Sequence, residues 1–224
     1  MSIFLDTGNY DEIKFYHEMG IIRGVTTNPS IISKEKDINS FSSFKNRCIE
    51  IAKLINPLPL SIEVLSNEKE DMINQSIDFS NWAENINIKI TIHGPNGELE
   101  NLKVINYLSN EKKIKINVTA MMSAQQCLLA AFAGAEYVSI FGGRVNNMGY
   151  NTNEEIVKLK NILTSAELDS KIIVGSVRES LNIVEWIDSG ADIVTVPPSF
   201  LETMICHPYS KETVKQFMDA SEKL

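Results

Sequence analysis

Eight short runs rich in Ile, Val and Phe recur along the chain, each followed by a longer stretch of mixed polarity. They are Ser2–Thr7, Gly24–Asn28, Leu58–Val64, Asn85–Ile90, Lys113–Thr119, Tyr137–Phe141, Lys171–Ser176 and Asp192–Pro197. Their length and β-branched content predict strands. The stretches between them predict helices. Asn67–Ala83 gathers Met72, Ile73, Ile77 and Trp82 near one face, and Asn153–Leu163 spaces Ile156, Leu159 and Leu163 by three or four. Arg178–Ser189 aligns Leu181, Val184 and Ile187, with Gly190 placed to end the helix. Ser123–Ala133 is small and apolar, as a well-buried helix would be. Ala133-Gly134-Ala135 and Ser189-Gly190-Ala191 read as matching helix-to-strand turns.

Regular strand–helix alternation implies parallel strands joined by right-handed crossovers. An open doubly wound sheet and a closed (β/α)8 barrel both satisfy this. The open sheet usually carries a Gly-rich nucleotide loop after its first strand. Here that strand runs into Asp6-Thr7-Gly8-Asn9-Tyr10, with no such loop. Eight units in 224 residues favour the barrel, a fold that typically takes about 250 residues and starts near 200. No linker or low-complexity segment interrupts the chain. The expected fold class is α/β: a single (β/α)8 TIM barrel over residues 1–224, with an extra C-terminal helix near Tyr209–Leu224.

Charge narrows the partners. With 21 Lys+Arg against 29 Asp+Glu, the formal net charge is −8. Nucleic-acid binding rests on basic surface, so no nucleic-acid partner is expected, although a local basic pocket for a small phosphate is compatible. Cys48, Cys127 and Cys206 are too few and too scattered for a disulfide framework or a CxxC zinc site, and are expected to be buried or semi-buried free thiols in a reducing compartment. The segment MSIFLDTGNYDE lacks the basic start of a signal peptide. The most apolar run, Cys127–Ala135, is far short of the ~20 residues that span a bilayer. The expectation is a cytoplasmic protein with no membrane partner.

In such a barrel, chemistry sits at the C-terminal ends of the strands, and polar residues gather there. The successive strands supply Asp6-Thr7, Thr26-Thr27-Asn28, Glu63, Lys89, Asn117 with Thr119, Ser139 with Phe141 and Arg144, and Ser176 with Arg178. Alternation places Asn117 and Thr119 on one face, and Ser139 and Phe141 likewise. Glu63 and Lys89 fall late in adjacent strands and read equally as a structural ion pair. A lysine in a closed site is a candidate Schiff-base nucleophile, because desolvation favours the neutral amine. Lys113 and Lys115 lie in the same class of run, so spacing alone does not choose among the lysines. Arg144 and Arg178, with Ser176, have the chemistry of a phosphate clamp.

The segment Gly24-Val25-Thr26-Thr27-Asn28-Pro29-Ser30-Ile31-Ile32, preceded by Leu5-Asp6-Thr7, resembles the signature of the transaldolase family. The likeness runs through Val196-Pro197 to His207-Pro208, in chains of similar length that include the fructose-6-phosphate aldolases. It implies class I aldolase chemistry on a (β/α)8 barrel, with no metal and no cofactor. Residue by residue, it implies Lys89 as the Schiff-base lysine and Asp6 as the general acid/base. Glu63, Thr119 and Asn117 match the group holding a catalytic water, and Asn28, in the signature beside Thr27, and Ser139 match substrate contacts. Arg144, Ser176 and Arg178 match the phosphate site. Sugar phosphates are the implied substrates, and a homo-oligomer, a pentamer or decamer with the C-terminal helix crossing to a neighbour, is the implied assembly.

Transaldolases resemble this chain in carrying Glu on strand three and Phe on strand six, where the aldolases look different, with Gln and Tyr. Glu63 and Phe141 therefore favour transfer of a three-carbon unit over its release. A release-type aldolase, a non-catalytic sugar-phosphate-binding barrel and a phosphate-binding isomerase are the alternatives. The chain departs from the family pattern at Thr91, where Pro is usual, and in the lengthened segment Thr91–Gly97, expected beside the site. Gly142-Gly143 replaces Val-Gly and suggests a looser seat for Arg144. His17 and His93 are read as structural and solvated respectively.

Overall fold

The computed structural model covers residues 1–224. Eight parallel strands pair in sequence order, and the last closes on the first. They are β1 Ser2–Asp6, β2 Val25–Thr26, β3 Leu60–Glu63, β4 Ile86–Thr91, β5 Ile116–Met121, β6 Tyr137–Phe141, β7 Lys171–Gly175 and β8 Ile193–Val196. Every predicted strand exists, so the closed barrel replaces the open-sheet alternative. The main buried cluster lies between barrel and helices, with Trp186 and Phe79 its largest fully buried side chains.

Local chemistry accounts for the shifted boundaries. β2 keeps two residues of the predicted five because Asn28 Oδ1 accepts from the Ile31 amide at 3.0 Å and caps α2 (Pro29–Ile32), with Pro29 in its first turn. β5 starts at Ile116 because Lys113 takes a left-handed φ of 58°, and Lys113 and Lys115 are exposed outside the barrel. Arg178 is not helical: α9 (Ser180–Asp188) is capped by Glu179, whose amide donates to Asn182 Oδ1 at 3.2 Å. The periodicity reading passed over α3 (Phe41–Ile55), which opens on a Ser40/Ser43 capping box and buries Phe44, Cys48, Ile51, Ala52 and Ile55.

Register and alternation sort the inward side chains into layers drawn from alternate strands. The lowest holds Asn87, Tyr137 and Ile193, with Gly24 below β2; the next holds Phe4, Ser61, Asn117 and Ile173. Gly24 is required there, since a Cβ would stand 2.6 Å from Phe4 Cζ. Thr26, Lys89, Ser139 and Thr195 form the third layer, and Asp6, Glu63, Thr119 and Gly175 the top one. The interior is thus apolar-rich at its N-terminal end and polar at its C-terminal end.

The expected C-terminal helix is α11 (Pro208–Ser221), which follows α10 (Pro198–Ile205) and buries none of its residues. Val214, Phe217 and Met218 are 56%, 68% and 59% exposed, so the helix finds no apolar cover on its own barrel. Cys48 and Cys127 are buried, and burial pushes both thiols up, Cys48 to about 12. Cys206 is exposed, against expectation, because it ends α10 beyond the core. No helix is long and apolar enough to cross a membrane.

Candidate active site

A cavity of about 520 Å³ opens at the C-terminal end of the barrel, lined by every predicted site residue except Thr27. Thr27 is a correction: it is 1% exposed and its hydroxyl donates to the Ser61 carbonyl at 3.1 Å, turned away from the cavity. Its contribution is its own carbonyl, which accepts from Lys89 Nζ at 2.8 Å. Lys89 is 5% exposed, and its amine also lies 3.5 Å from Glu63 Oε2. Parallel pairing of β3 and β4 places Glu63 opposite Lys89, which is why the two meet.

Below the amine, Asn117 Nδ2 donates to Ser61 Oγ at 3.1 Å and Asn117 Oδ1 accepts from Ser139 Oγ at 2.6 Å. Ser139 has one hydroxyl hydrogen and spends it there, so toward the cavity it is an acceptor. It suits a ligand hydroxyl that donates. Asn28 is its counterpart: its oxygen caps α2, leaving the side-chain amide as a donor. Thr119 Oγ1 is buried with no hydrogen-bond partner in the protein, so its capacity is directed to whatever fills the cavity.

Asp6 accepts from Thr26 Oγ1 at 2.6 Å through Oδ1. Burial pushes its carboxyl above the ordinary value, against the lowering effects of Lys89, the Thr26 hydrogen bond and Lys34. A carboxylate so placed takes up a proton readily.

Arg144 and Arg178 stand on the rim, and neither makes an ion pair within the protein. In a chain of net charge −8, two cations left unpaired over one cavity suit an anionic ligand. Arg144 Cζ lies 5.2 Å from the centre of the Phe141 ring. Ser176 holds a left-handed φ of 62°, and Ala120, at the irregular pairing of β5 with β6, one of 61°. Both line the cavity, a concentration of backbone strain common at functional sites.

Two expectations at the margin are corrected. None of residues 91–97 lines the cavity. That loop folds on itself: Thr91 Oγ1 donates to the His93 carbonyl at 2.9 Å, Asn101 Nδ2 to the Thr91 carbonyl at 3.0 Å, and the Asn96 amide to Glu98 at 2.8 Å. Nor is Gly142 loosely seated in α7 (Gly142–Asn147). A Cβ there would fall 2.8 Å from Trp186 Cζ2 and Val174 Cγ1.

Sequence reasoning placed Thr26 among the polar strand ends without giving it a role, and missed Lys34 and Thr195 as lining residues. Thr26 lies inside the signature. Thr195 shares the inner-face parity of β8 with Ile193. Lys34 follows α2, which no strand-end argument reaches.

The family described as transaldolase/fructose-6-phosphate aldolase matches residues 3–224. A probable transaldolase of Carboxydothermus hydrogenoformans is 40% identical over 97% of this chain and 96% of its own. Those of Nitrosopumilus maritimus and Clostridioides difficile are 38% and 40% identical, over 100% and 97% of this chain and 96% and 95% of theirs. Among solved structures, a thiamine phosphate pyrophosphorylase from Pyrococcus furiosus superposes with a TM-score of 0.61 at 10% identity, covering 88% of this chain and 85% of that one. The last likeness concerns the barrel fold alone.

Proposed function

The chain belongs to the transaldolase/fructose-6-phosphate aldolase family, and from that premise we propose that it transfers a three-carbon dihydroxyacetone unit from a ketose phosphate to an aldose phosphate through a Schiff base on Lys89. The observation that carries this reading is the setting of Lys89. Of the two cavity lysines, Lys34 is exposed on the rim. Lys89 is buried in the polar third layer, with Glu63 3.5 Å from its amine.

In this reading the neutral Lys89 amine attacks the C2 carbonyl of the ketose. Glu63, with a water held by Thr119 Oγ1, moves the protons that convert carbinolamine to imine. Asp6 takes the C4 hydroxyl proton, the C3–C4 bond breaks, and its electron pair passes into the protonated imine. The aldose phosphate departs, leaving a three-carbon enamine on Lys89. A second aldose phosphate enters and the steps reverse, giving ping-pong kinetics. Arg144, Arg178 and Ser176 hold the phosphate, whose remote binding energy positions the reacting carbons. Phe141 brings no hydroxyl to help water intercept the enamine, which favours transfer over release. By the same resemblance, α11 is the element that would cross to a neighbouring copy in a homo-oligomer.

The test is borohydride reduction with fructose 6-phosphate, followed by peptide mass mapping. A three-carbon or hexose-phosphate adduct on Lys89, absent from Lys89→Met, is expected. No adduct, or one on another lysine, overturns the assignment.

A further inference from the structure

Asp6 Oδ1, Thr26 Oγ1 and Thr195 Oγ1 form a continuous chain, with steps of 2.6 Å and 2.5 Å. The hydrogen count gives it a direction. An ionised carboxylate donates nothing, so the single hydrogen of Thr26 goes to Asp6. Thr26 Oγ1 must then accept across the second step, and Thr195 must donate. Thr26 and Thr195 are 2% and 7% exposed, so neither bond is exchanged freely with solvent. The third layer carries both threonines and the top layer carries Asp6, so the register itself builds the chain. Thr195 is also held from above. A Cβ on Gly175 would stand 3.1 Å from Thr195 Cγ2, so the methyl group fills the space beneath that glycine.

The chain engages one oxygen of Asp6. Oδ2 takes no hydrogen bond from the protein and is the oxygen left to react. We propose that Thr195 is a positioning residue for the acid–base step: by donating to Thr26 it strengthens and orients the Thr26 bond to Oδ1, and so leaves the exchange of the substrate proton to Oδ2. The proposal rests on the reading of Asp6 as the general acid/base. On cleavage the proton passes from the C4 hydroxyl to Oδ2, the C3–C4 electron pair enters the protonated imine, and C4 becomes the aldehyde carbon. On addition Oδ2 returns that proton to the acceptor oxygen. The relay residues exchange no proton; they hold the carboxylate.

Other charges share the cavity with Asp6: Lys89 from β4, Glu63 from β3, Lys34 after α2, and Arg144 and Arg178 on the rim. β8 adds none, since it reads Ile193-Val194-Thr195-Val196. Removing the Thr195 hydroxyl therefore alters the hydrogen bonding of Asp6 without changing the surrounding charge. Adjacent hydrogen bonds strengthen one another, so loss of the outer one weakens the inner one and disfavours the carboxylate.

The experiment compares Thr195→Val, near in shape, with Thr195→Ser, which restores the hydroxyl, and with Asp6→Asn. Turnover is followed against pH together with KM. The acid limb of the kcat profile of Thr195→Val is expected to move to higher pH by about 0.1–0.6 of a unit, with KM within about twofold, and Thr195→Ser to return it. An unchanged profile for Thr195→Val, with turnover abolished in Asp6→Asn, overturns the relay and leaves the role of Asp6 intact. Equal profiles for Val and Ser reduce Thr195 to packing and overturn it too. Full turnover in Asp6→Asn removes the underlying reading of Asp6 and the relay with it.

Discussion

A Cβ on Gly143 would stand 1.8 Å from the carbonyl oxygen of Ser176 and 2.8 Å from Arg178 Cγ. No side chain fits that gap. The backbone beside Arg144 therefore lies directly against the other two residues proposed to hold the phosphate. The left-handed Ser176 is part of the same contact, because its backbone presents that carbonyl to Gly143.

Gly143→Ala must accordingly displace Ser176 and Arg178 together. The expected result is a rise in KM for phosphorylated ketoses of about tenfold to a hundredfold, since misplacing positioning groups by ~1 Å costs on that order. Arg178→Ala should give the same sign while leaving KM for unphosphorylated ketoses nearly unchanged. Steady-state kinetics on both substrate classes decide it, and equal KM changes for the two classes would sink the clamp.

Gly142 and Trp186 form a second coupled pair. Gly142→Val is expected to destabilise the fold by about 1–3 kcal/mol through overpacking against the fully buried indole. Combining it with Trp186→Leu should recover part of the loss, giving a non-additive cycle. Denaturant melts of the four proteins measure this, and strictly additive losses would contradict it.

Stability should also record the burial of Asp6. Its folded value lies above the ordinary 3.8, so between the two values the folded chain binds more protons than the unfolded one. This contribution is favourable below 3.8 and is lost as pH rises through the raised value. Asp6→Asn has no such group, so its Tm relative to the parent should climb across that window and then level off. Roughly 2–4 °C per kcal/mol is the scale for a chain of this size. A Tm difference that stays flat from acid to neutral pH would refute it.

Phe141→Tyr places a hydroxyl at the edge of a cavity-wall ring whose face Arg144 overlies. The ratio of dihydroxyacetone release to transfer should rise by about tenfold or more, because aligned proton donors and acceptors contribute up to about 10²–10⁴. A coupled assay for free dihydroxyacetone, run with and without an aldose acceptor, reads the ratio directly.

The barrel was legible because each strand run is a local signal of β-branched residues, and eight in alternation leave few topologies. The polar strand ends were legible for the same reason, since parity along a strand fixes its face. Thr27 failed because parity turns it outward, while its neighbours Thr26 and Asn28 face the cavity. Thr195 was passed over because a lone threonine inside an apolar strand carries no local mark. Its significance appears only when closure of β8 on β1 brings it near Thr26. The 91–97 loop was misplaced because its internal hydrogen bonds, not its length, decide where it folds.

The layer order along the barrel axis divides labour within single strands. Ile193 and Thr195 lie two positions apart on β8, one packed with Phe4, Tyr137 and Ile173 and the other in the polar chain to Asp6. Selection for heat resistance and selection for a new acceptor sugar would therefore act on different storeys of the same eight strands. The second layer is where the two meet, since Asn117 there bonds up to Ser139 beside the packed Phe4 and Ile173.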